Sequence, residues 1–272
     1  MRSAFHRGIQ GLPIRLGCLV LVLVATGCRP AAQRNPDPEA DVLRHPELWS
    51  VIGRSVEGRA IYSHEQGTGD DVVLVVGSIH GDEAVTGQLV VRLVELISLE
   101  QRDTTKRRVI FVPFLNPDGV AHHQRTNAHG VDINRNFPTR NWSPTATEER
   151  YPPGPAPSSE PETRLLLDLL LRYNPRLIIS LHAPLHVINY DGPAKGIADR
   201  MAALNGYRVS DSIGYATPGS LGTYAGVERN IPVITLELPR VSADEAWEQN
   251  RDALMEALSI PNLVGPHLRT FP

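Results

Sequence analysis

Four apolar runs constrain this chain more than any other feature: Val72–Val76, Val109–Leu115, Leu177–Leu181 and Pro232–Leu238. Each is short, rich in β-branched residues and almost free of polar breaks, as expected of a strand covered on both faces. Between them the pattern changes to a helical period. Val85, Leu89, Leu93 and Leu96 share one face after the first run. Ser159-Glu160-Pro161-Glu162 reads as a capping box opening a Leu-rich helix to Tyr173, and Ser242 to Glu245 caps a last helix running to about Leu258. Strands alternating with helices predict an α/β fold with a mixed, largely parallel central sheet and helices on both faces. Val51–Ile61 and the segment around Tyr62 predict a hairpin with Gly58 at its turn. Asn116-Pro117-Asp118-Gly119 predicts a turn, and the Pro-, Ser- and Thr-rich residues 139–158 a long surface loop.

The 272 residues, 41% of them apolar, suit one medium-sized domain with short appendages. No basic stripe with interleaved aromatics is present, which argues against nucleic acid as a partner. The N-terminus stands apart. Arg2, Arg7 and Arg15 precede the apolar run Leu16–Val24 and the small residues Ala25-Thr26-Gly27. A bilayer span needs about 20 apolar residues, so this run reads as a secretory signal. Ala25-Thr26-Gly27-Cys28 resembles the lipobox of bacterial lipoproteins. That resemblance implies cleavage after residue 27 and a diacylglycerol on Cys28; an ordinary signal with an incidental cysteine is the alternative. Losing residues 1–27 removes three arginines and no acid, which moves the formal charge from −3 to −6. Cys18 leaves with the signal, so no disulfide is expected. Residues 28–46 read as the lipidated cysteine and a flexible tether, and 47–272 as the catalytic domain.

The candidate chemistry sits where the strands end, the place at which open α/β sheets bind ligands. His80 and Glu83 form His-x-x-Glu in a strand-to-helix turn, and His182 follows the third run. Imidazole nitrogen and carboxylate oxygen suit zinc, and a catalytic zinc takes three protein ligands and keeps one open position. A lone histidine after an apolar strand can equally be satisfied by a backbone bond. Glu237 lies inside Val233-Ile234-Thr235-Leu236-Glu237-Leu238, where an unpaired carboxylate would cost several kcal/mol. Either an arginine pairs with it, or it is a general base beside a water activated by the metal.

Taken together, His80-x-x-Glu83, the segment Arg125 to Phe137 (RTNAHGVDINRNF), Ser180-Leu181-His182 and Thr235-Leu236-Glu237-Leu238 resemble the zinc metallocarboxypeptidases, in order and spacing, over about residues 50–265. Within that family the chain looks most like the murein peptide amidases, through Ser159–Thr163, His182–Leu185 and Gly214–Gly222. The resemblance implies one zinc per chain on His80, Glu83 and His182, with Glu237 as the catalytic carboxylate. It implies that Arg125 polarises the scissile carbonyl, that Asn134 and Arg135 clamp a terminal carboxylate, and that Asp132 steadies the first histidine. Tyr215 would close over substrate, and a residue near Leu221 would select its side chain. His122, His123 and His129 are expected to be solvated loop residues. The implied substrates are peptidoglycan stem peptides or muropeptides, cut between γ-D-glutamate and meso-diaminopimelate. With the lipobox, the expected location is outside the cytoplasm on a lipid anchor; Arg29 after the cysteine favours the inner leaflet of an outer membrane in an organism that has one. Alternative readings are an exported carboxypeptidase on α-peptides, an aspartoacylase-like deacylase, and a lipoprotein that binds cell-wall peptides without cutting them.

Overall fold

The four apolar runs form the middle of an eight-stranded sheet. A computed structural model of the protein describes residues 37–99 and 107–260; the signal segment, Cys28 and the first part of the expected tether lie outside them. The strands are β1 (Ser50–Arg54), β2 (Ala60–Gln66), β3 (Asp71–Val76), β4 (Arg107–Val112), β5 (Leu177–His182), β6 (Val187–Asp191), β7 (Arg208–Ser210) and β8 (Val233–Glu237). Their spatial order is β1-β2-β4-β3-β5-β8-β6-β7. The central β4, β3, β5 and β8 are mutually parallel, while β2 and β6 join them antiparallel. The hairpin β1–β2 forms as expected.

Alternation along the strands divides the core in two. Val73, Val75, Ile179, Leu181, Ile234 and Leu236 point to one face. There they meet α2 (Ala84–Leu99), α5 (Lys195–Asn205) and α6 (Ala243–Ser259). Val72, Leu74, Val76, Ile178 and Val233 point to the other, covered by Leu166, Leu169 and Leu170 of α4 (Pro161–Tyr173) and by the wide helical turn Gly222–Val227. Strands β6 and β7 and helix α5 escape the sequence reading. Val187-Ile188-Asn189-Tyr190-Asp191 mixes polar and apolar residues and lacks a continuous apolar run.

Three local expectations change. The expected tether ends early, because Pro38–Val42 is a helix, α1, capped by the Asp37 side chain on the Glu39 N–H. Its Val42 is buried against Ala84, Val91, Phe114 and Val120, so residues 38–42 pack against the rest of the described fold. Asn116-Pro117-Asp118-Gly119 is not an isolated turn but the start of α3 (Pro117–His122), with the Gly119 N–H donating to Asn116 Oδ1 at 2.9 Å. Asp118 is fully buried and accepts from Ser55 Oγ at 2.7 Å and the Glu57 N–H at 2.9 Å, tying the hairpin to α3. Finally, no capping box forms at α4. Glu160 occupies the N-cap without a side-chain cap bond, and Glu162 instead points inward and accepts from the Val56 N–H and Asn127 Nδ2. Proline at the first helical position removes one of the open donors of that turn, because it has no N–H.

The turn after β3 depends on one glycine. A Cβ on Gly81 would lie 1.9 Å from the Gly119 carbonyl carbon, so this turn and the start of α3 pack backbone to backbone. That contact fixes the depth at which the flanking His80 and Glu83 enter the cleft.

Candidate active site

His80 ends the segment after β3, Glu83 closes the short 3-10 turn Gly81–Glu83, and His182 is the last residue of β5. All three side chains are buried, and their donor atoms lie within 4.8 Å of one another. Among the described residues no other trio of His, Cys, Asp or Glu is gathered this way. Nδ1 of His80 lies 2.9 Å from Glu83 Oε1, and Nδ1 of His182 lies 3.0 Å from Glu83 Oε2 and 3.1 Å from Nδ1 of His80. The far side of each ring is engaged as well. His80 Nε2 donates to Asp132 Oδ1 at 3.1 Å, and His182 Nε2 faces the Ser180 hydroxyl at 3.0 Å. With the Nε2 atoms carrying the protons, two Nδ1 lone pairs and a carboxylate converge on one point. A divalent cation satisfies that arrangement, and the donor set fits zinc.

Electrostatics favour the same conclusion. Burial opposes charge on His80, but Glu83 and Asp132 outweigh it and raise its pKa to about 9, so the point attracts positive charge. Burial likewise pushes the Glu83 carboxyl up, yet His80 and His182 hold it well below the usual carboxylate range.

Strand register delivers the fourth group. His182 of β5 and Glu237 of β8 are direct partners across the parallel pair, as are Ser180 and Thr235 one step back on the same face. Glu237 is 7% exposed; among the described residues no arginine pairs with it, and it accepts a long bond of 3.4 Å from the Leu185 N–H. Burial raises its carboxyl above the ordinary value, against the pull of His182 and with the help of Glu83. A carboxylate held this way is a better proton acceptor than one in water.

Asp132 gathers the remaining groups. It is fully buried and takes the His80 Nε2 proton on Oδ1, the Asn134 N–H on Oδ1 at 2.9 Å, and Arg125 Nε on Oδ2 at 2.9 Å. Burial pushes its carboxyl up, but His80 and Arg125 hold it well below its ordinary value. Arg125 also brings Nη1 to 3.5 Å from Glu83 Oε1, next to the metal-ligand group. Asn134 accepts the Leu221 N–H at 2.8 Å through Oδ1, which turns its amide nitrogen toward the cleft. Arg135 is buried, bonds the Asn134 carbonyl through Nη1, and has an Nε–H with no hydrogen-bond partner among the described residues. Such an orphaned donor suits a carboxylate ligand. Tyr215 is 41% exposed and lines the same cleft, with burial and the neighbouring Tyr151 raising its hydroxyl to about 12.

These groups line one cleft of about 530 Å³. Leu221, expected near the side-chain selector, faces the core at 2% exposure; Gly222 and Thr223 line the cleft instead. His122 pairs with Glu57 and His129 with Glu160, and neither joins the metal group.

Two cleft residues escape the sequence reading. Asp191 ends β6 on the same sheet face as Asn189, and the antiparallel register sets Asn189 opposite Thr235 and Val187 opposite Glu237. Among the described residues no hydrogen bond or ion pair engages its carboxyl, and burial raises it to about 6. A Cβ on Gly222 would lie 2.3 Å from Asp191 Oδ2, so the turn packs closely against one side of this carboxylate. The signal was available: a carboxylate inside a strand, the same reason Glu237 stands out. Tyr151, in the loop expected over 139–158, is only 6% exposed and touches the cleft arginines; no local pattern marks it.

With this geometry in place, the chain can be set beside known proteins. The zinc carboxypeptidase family model matches residues 40–196. The chain is 34% identical over 250 residues to murein peptide amidase A of Escherichia coli strain K12, covering 86% of this chain and 95% of that one. The corresponding protein of Vibrio campbellii is 33% identical over 219 residues, covering 76% and 85%. The crystal structure of murein-tripeptide amidase from Escherichia coli O157 superposes with a TM-score of 0.67 at 29% identity over 86% of this chain and 98% of that one. Carboxypeptidase A of Helicoverpa armigera shares the fold, with a TM-score of 0.67 at 20% identity over 82% and 72%.

Asp132→Asn removes the charge behind His80 while keeping the shape. It is expected to weaken zinc binding by about 10- to 100-fold in competition with a chelator. An unchanged zinc affinity would show that Asp132 does not support the ligand.

Proposed function

The chain belongs to the zinc carboxypeptidase family and is a hydrolase, and we propose that it cuts the amide between γ-D-glutamate and meso-diaminopimelate in peptidoglycan stem peptides or muropeptides. The observation that carries the substrate is Asp191. A carboxylate half-enclosed on the cleft floor matches the ammonium of a side chain that carries one, and the zwitterionic far end of meso-diaminopimelate does. An apolar C-terminal residue would leave that carboxylate desolvated and without a partner. The two murein peptide amidases that resemble the chain over most of its length support the same substrate.

In this reading Asn134 and the free edge of Arg135 receive the carboxylate beside the scissile amide, which sets the amide carbonyl near Arg125. A zinc ion on His80, Glu83 and His182 would supply Lewis acidity and bring the pKa of a water to near 7. Glu237 accepts the proton of the attacking water and returns it to the departing diaminopimelate amine. Its burial and single weak hydrogen bond keep it basic enough for the first transfer. Arg125, steadied through Nε by Asp132, is left with its Nη donors for the developing oxyanion. Contacts of that kind lower a barrier by about 3–4 kcal/mol.

We further propose that the protein acts outside the cytoplasm, anchored by a lipid on Cys28, on the basis of the Ala25-Thr26-Gly27-Cys28 motif. Among the described residues no helix is long and apolar enough to cross a membrane. The arrangement would hold the domain beside intact cell wall, on the inner leaflet of an outer membrane where one exists.

Three outcomes are expected. Glu237→Gln retains zinc and loses about 10²- to 10⁴-fold in kcat, the range for a general base; wild-type turnover in a zinc-loaded variant removes Glu237 from the mechanism. Asp191→Asn lowers kcat/KM on L-Ala-γ-D-Glu-meso-diaminopimelate by about 10- to 100-fold, the worth of one hydrogen bond to a charged group. It should hardly affect the same peptide ending in norleucine, and equal losses on both would refute the ammonium assignment. In cells fed labelled fatty acid, the wild-type chain takes up label in the membrane fraction and Cys28→Ala does not. Unlabelled wild-type protein would exclude the anchor.

A further inference from the structure

Tyr151 sits in a stretch whose sequence predicts only a surface loop, yet its ring is among the most enclosed features of the cleft. The guanidinium carbons of Arg125, Arg135 and Arg150 lie 4.9, 4.8 and 5.1 Å from its ring centroid. Tyr215 stacks on it, with centroids 5.8 Å apart and planes at 12°. Arg125, Arg135 and Tyr215 therefore meet the adjoining Arg150 on one aromatic side chain.

The backbone around Tyr151 is tied down. Its own N–H donates to the Glu148 carbonyl at 3.0 Å. The next two carbonyls are taken by the strip that carries the clamp: Pro152 by the Asp132 N–H and Pro153 by Asn136 Nδ2, both at 2.8 Å. The ring thus has a fixed position relative to Asp132, Asn134 and Arg135. The guanidiniums it touches are less securely held. Arg125 is fixed by Asp132 at one edge, and Arg135 only by the Asn134 carbonyl, with its Nε–H unpartnered. They are also like charges sharing one cleft. Burial lowers the Arg135 pKa, and Arg125 pushes the same way against the opposing pull of Asp132.

We propose that Tyr151 is a positioning residue that aims Arg125 and Arg135 at substrate: its electron-rich face attracts both guanidiniums and holds them at the separation a scissile carbonyl and a neighbouring carboxylate require. An aromatic face offsets part of the repulsion between the two cations without competing for their hydrogen bonds, which a carboxylate in that place would do. The N–H edges stay free for substrate. Tyr215 resting on the same ring extends the stack toward the rim of the cleft. The role assigned to Arg135 is that given under the proposed function, and the test separates the two.

The test compares the full, zinc-loaded protein on two substrates, the diaminopimelate-terminated peptide with a free α-carboxylate and its α-carboxamide. The readout is the ratio of kcat/KM between them. Arg135→Gln, measured first, reports whether Arg135 reads the carboxylate; a wild-type ratio there overturns the assignment of Arg135 and the Tyr151 proposal with it. Given a reduced ratio, Tyr151→Phe keeps the ring and is expected to stay within about two-fold of wild type. Tyr151→Leu and the isosteric Tyr151→pentafluorophenylalanine, which removes the electron-rich face, are expected to lower the ratio about ten-fold, mainly through KM on the carboxylate substrate. The fluorinated ring preserves packing, so this arm stands even where the leucine variant folds poorly. A pentafluorophenylalanine variant with the ratio of Tyr151→Phe would show that the ring merely fills space and overturns the proposal.

Discussion

A single buried carboxylate organises the catalytic cleft. Asp132 has no solvent exposure and is the acceptor for His80 Nε2, Arg125 Nε and the Asn134 N–H. Through those three bonds it orients one histidine of the candidate metal group, the arginine nearest that group and the start of the Asn134-Arg135 pair. Burying a carboxylate alone would cost several kcal/mol, and the cationic partners that offset the cost are the very groups that need orienting. The same bonds that stabilise the charge therefore fix the geometry. Removing any one partner leaves a buried ion short of compensation, which makes the cluster act as a unit.

The sheet supplies what Asp132 does not. Parallel strands β5 and β8 place His182 and Glu237 side by side by register alone, with no contact between their side chains needed to fix the spacing. The antiparallel return of β6 extends that face past Thr235 and Asn189 to Asp191. At about 3.4 Å per residue, Asp191 sits some 14 Å along the sheet from the Glu237 level. Two buried carboxyl groups thus occupy the two ends of one strand face, and the Gly222–Val227 turn closes over the second.

The loop at 139–158 has more structure than its composition suggests. Its later part is bonded to residues 132–136 through Pro152, Pro153 and Ala156 carbonyls, and it brings Tyr151 into the cleft. Side chains that a Pro-rich segment presents cannot be placed from local pattern, because what holds the segment is the buried Asn136 amide of another part of the chain.

Much of this protein was legible in its amino-acid order. The four β-branched runs determined the parallel centre of the sheet, since residues of that kind can be satisfied only between two covered faces. His80, Glu83, His182 and Glu237 could be singled out because titratable groups at the ends of apolar strands are costly without a function. Local periodicity could not determine the strands β6 and β7, where polar and apolar residues alternate with cleft and core, or the packing of Pro38–Val42, which needs Val91 and Phe114 beside it. Nor could it determine which polar residues share the cleft. Tyr151 precedes His182 by 31 residues and Asp191 follows it by nine, and only the Asn136 anchor and strand register bring their side chains into the cleft. Separation along the chain carries no information about distance in space until the sheet order is set, and the hydrogen bonds of tertiary structure set it.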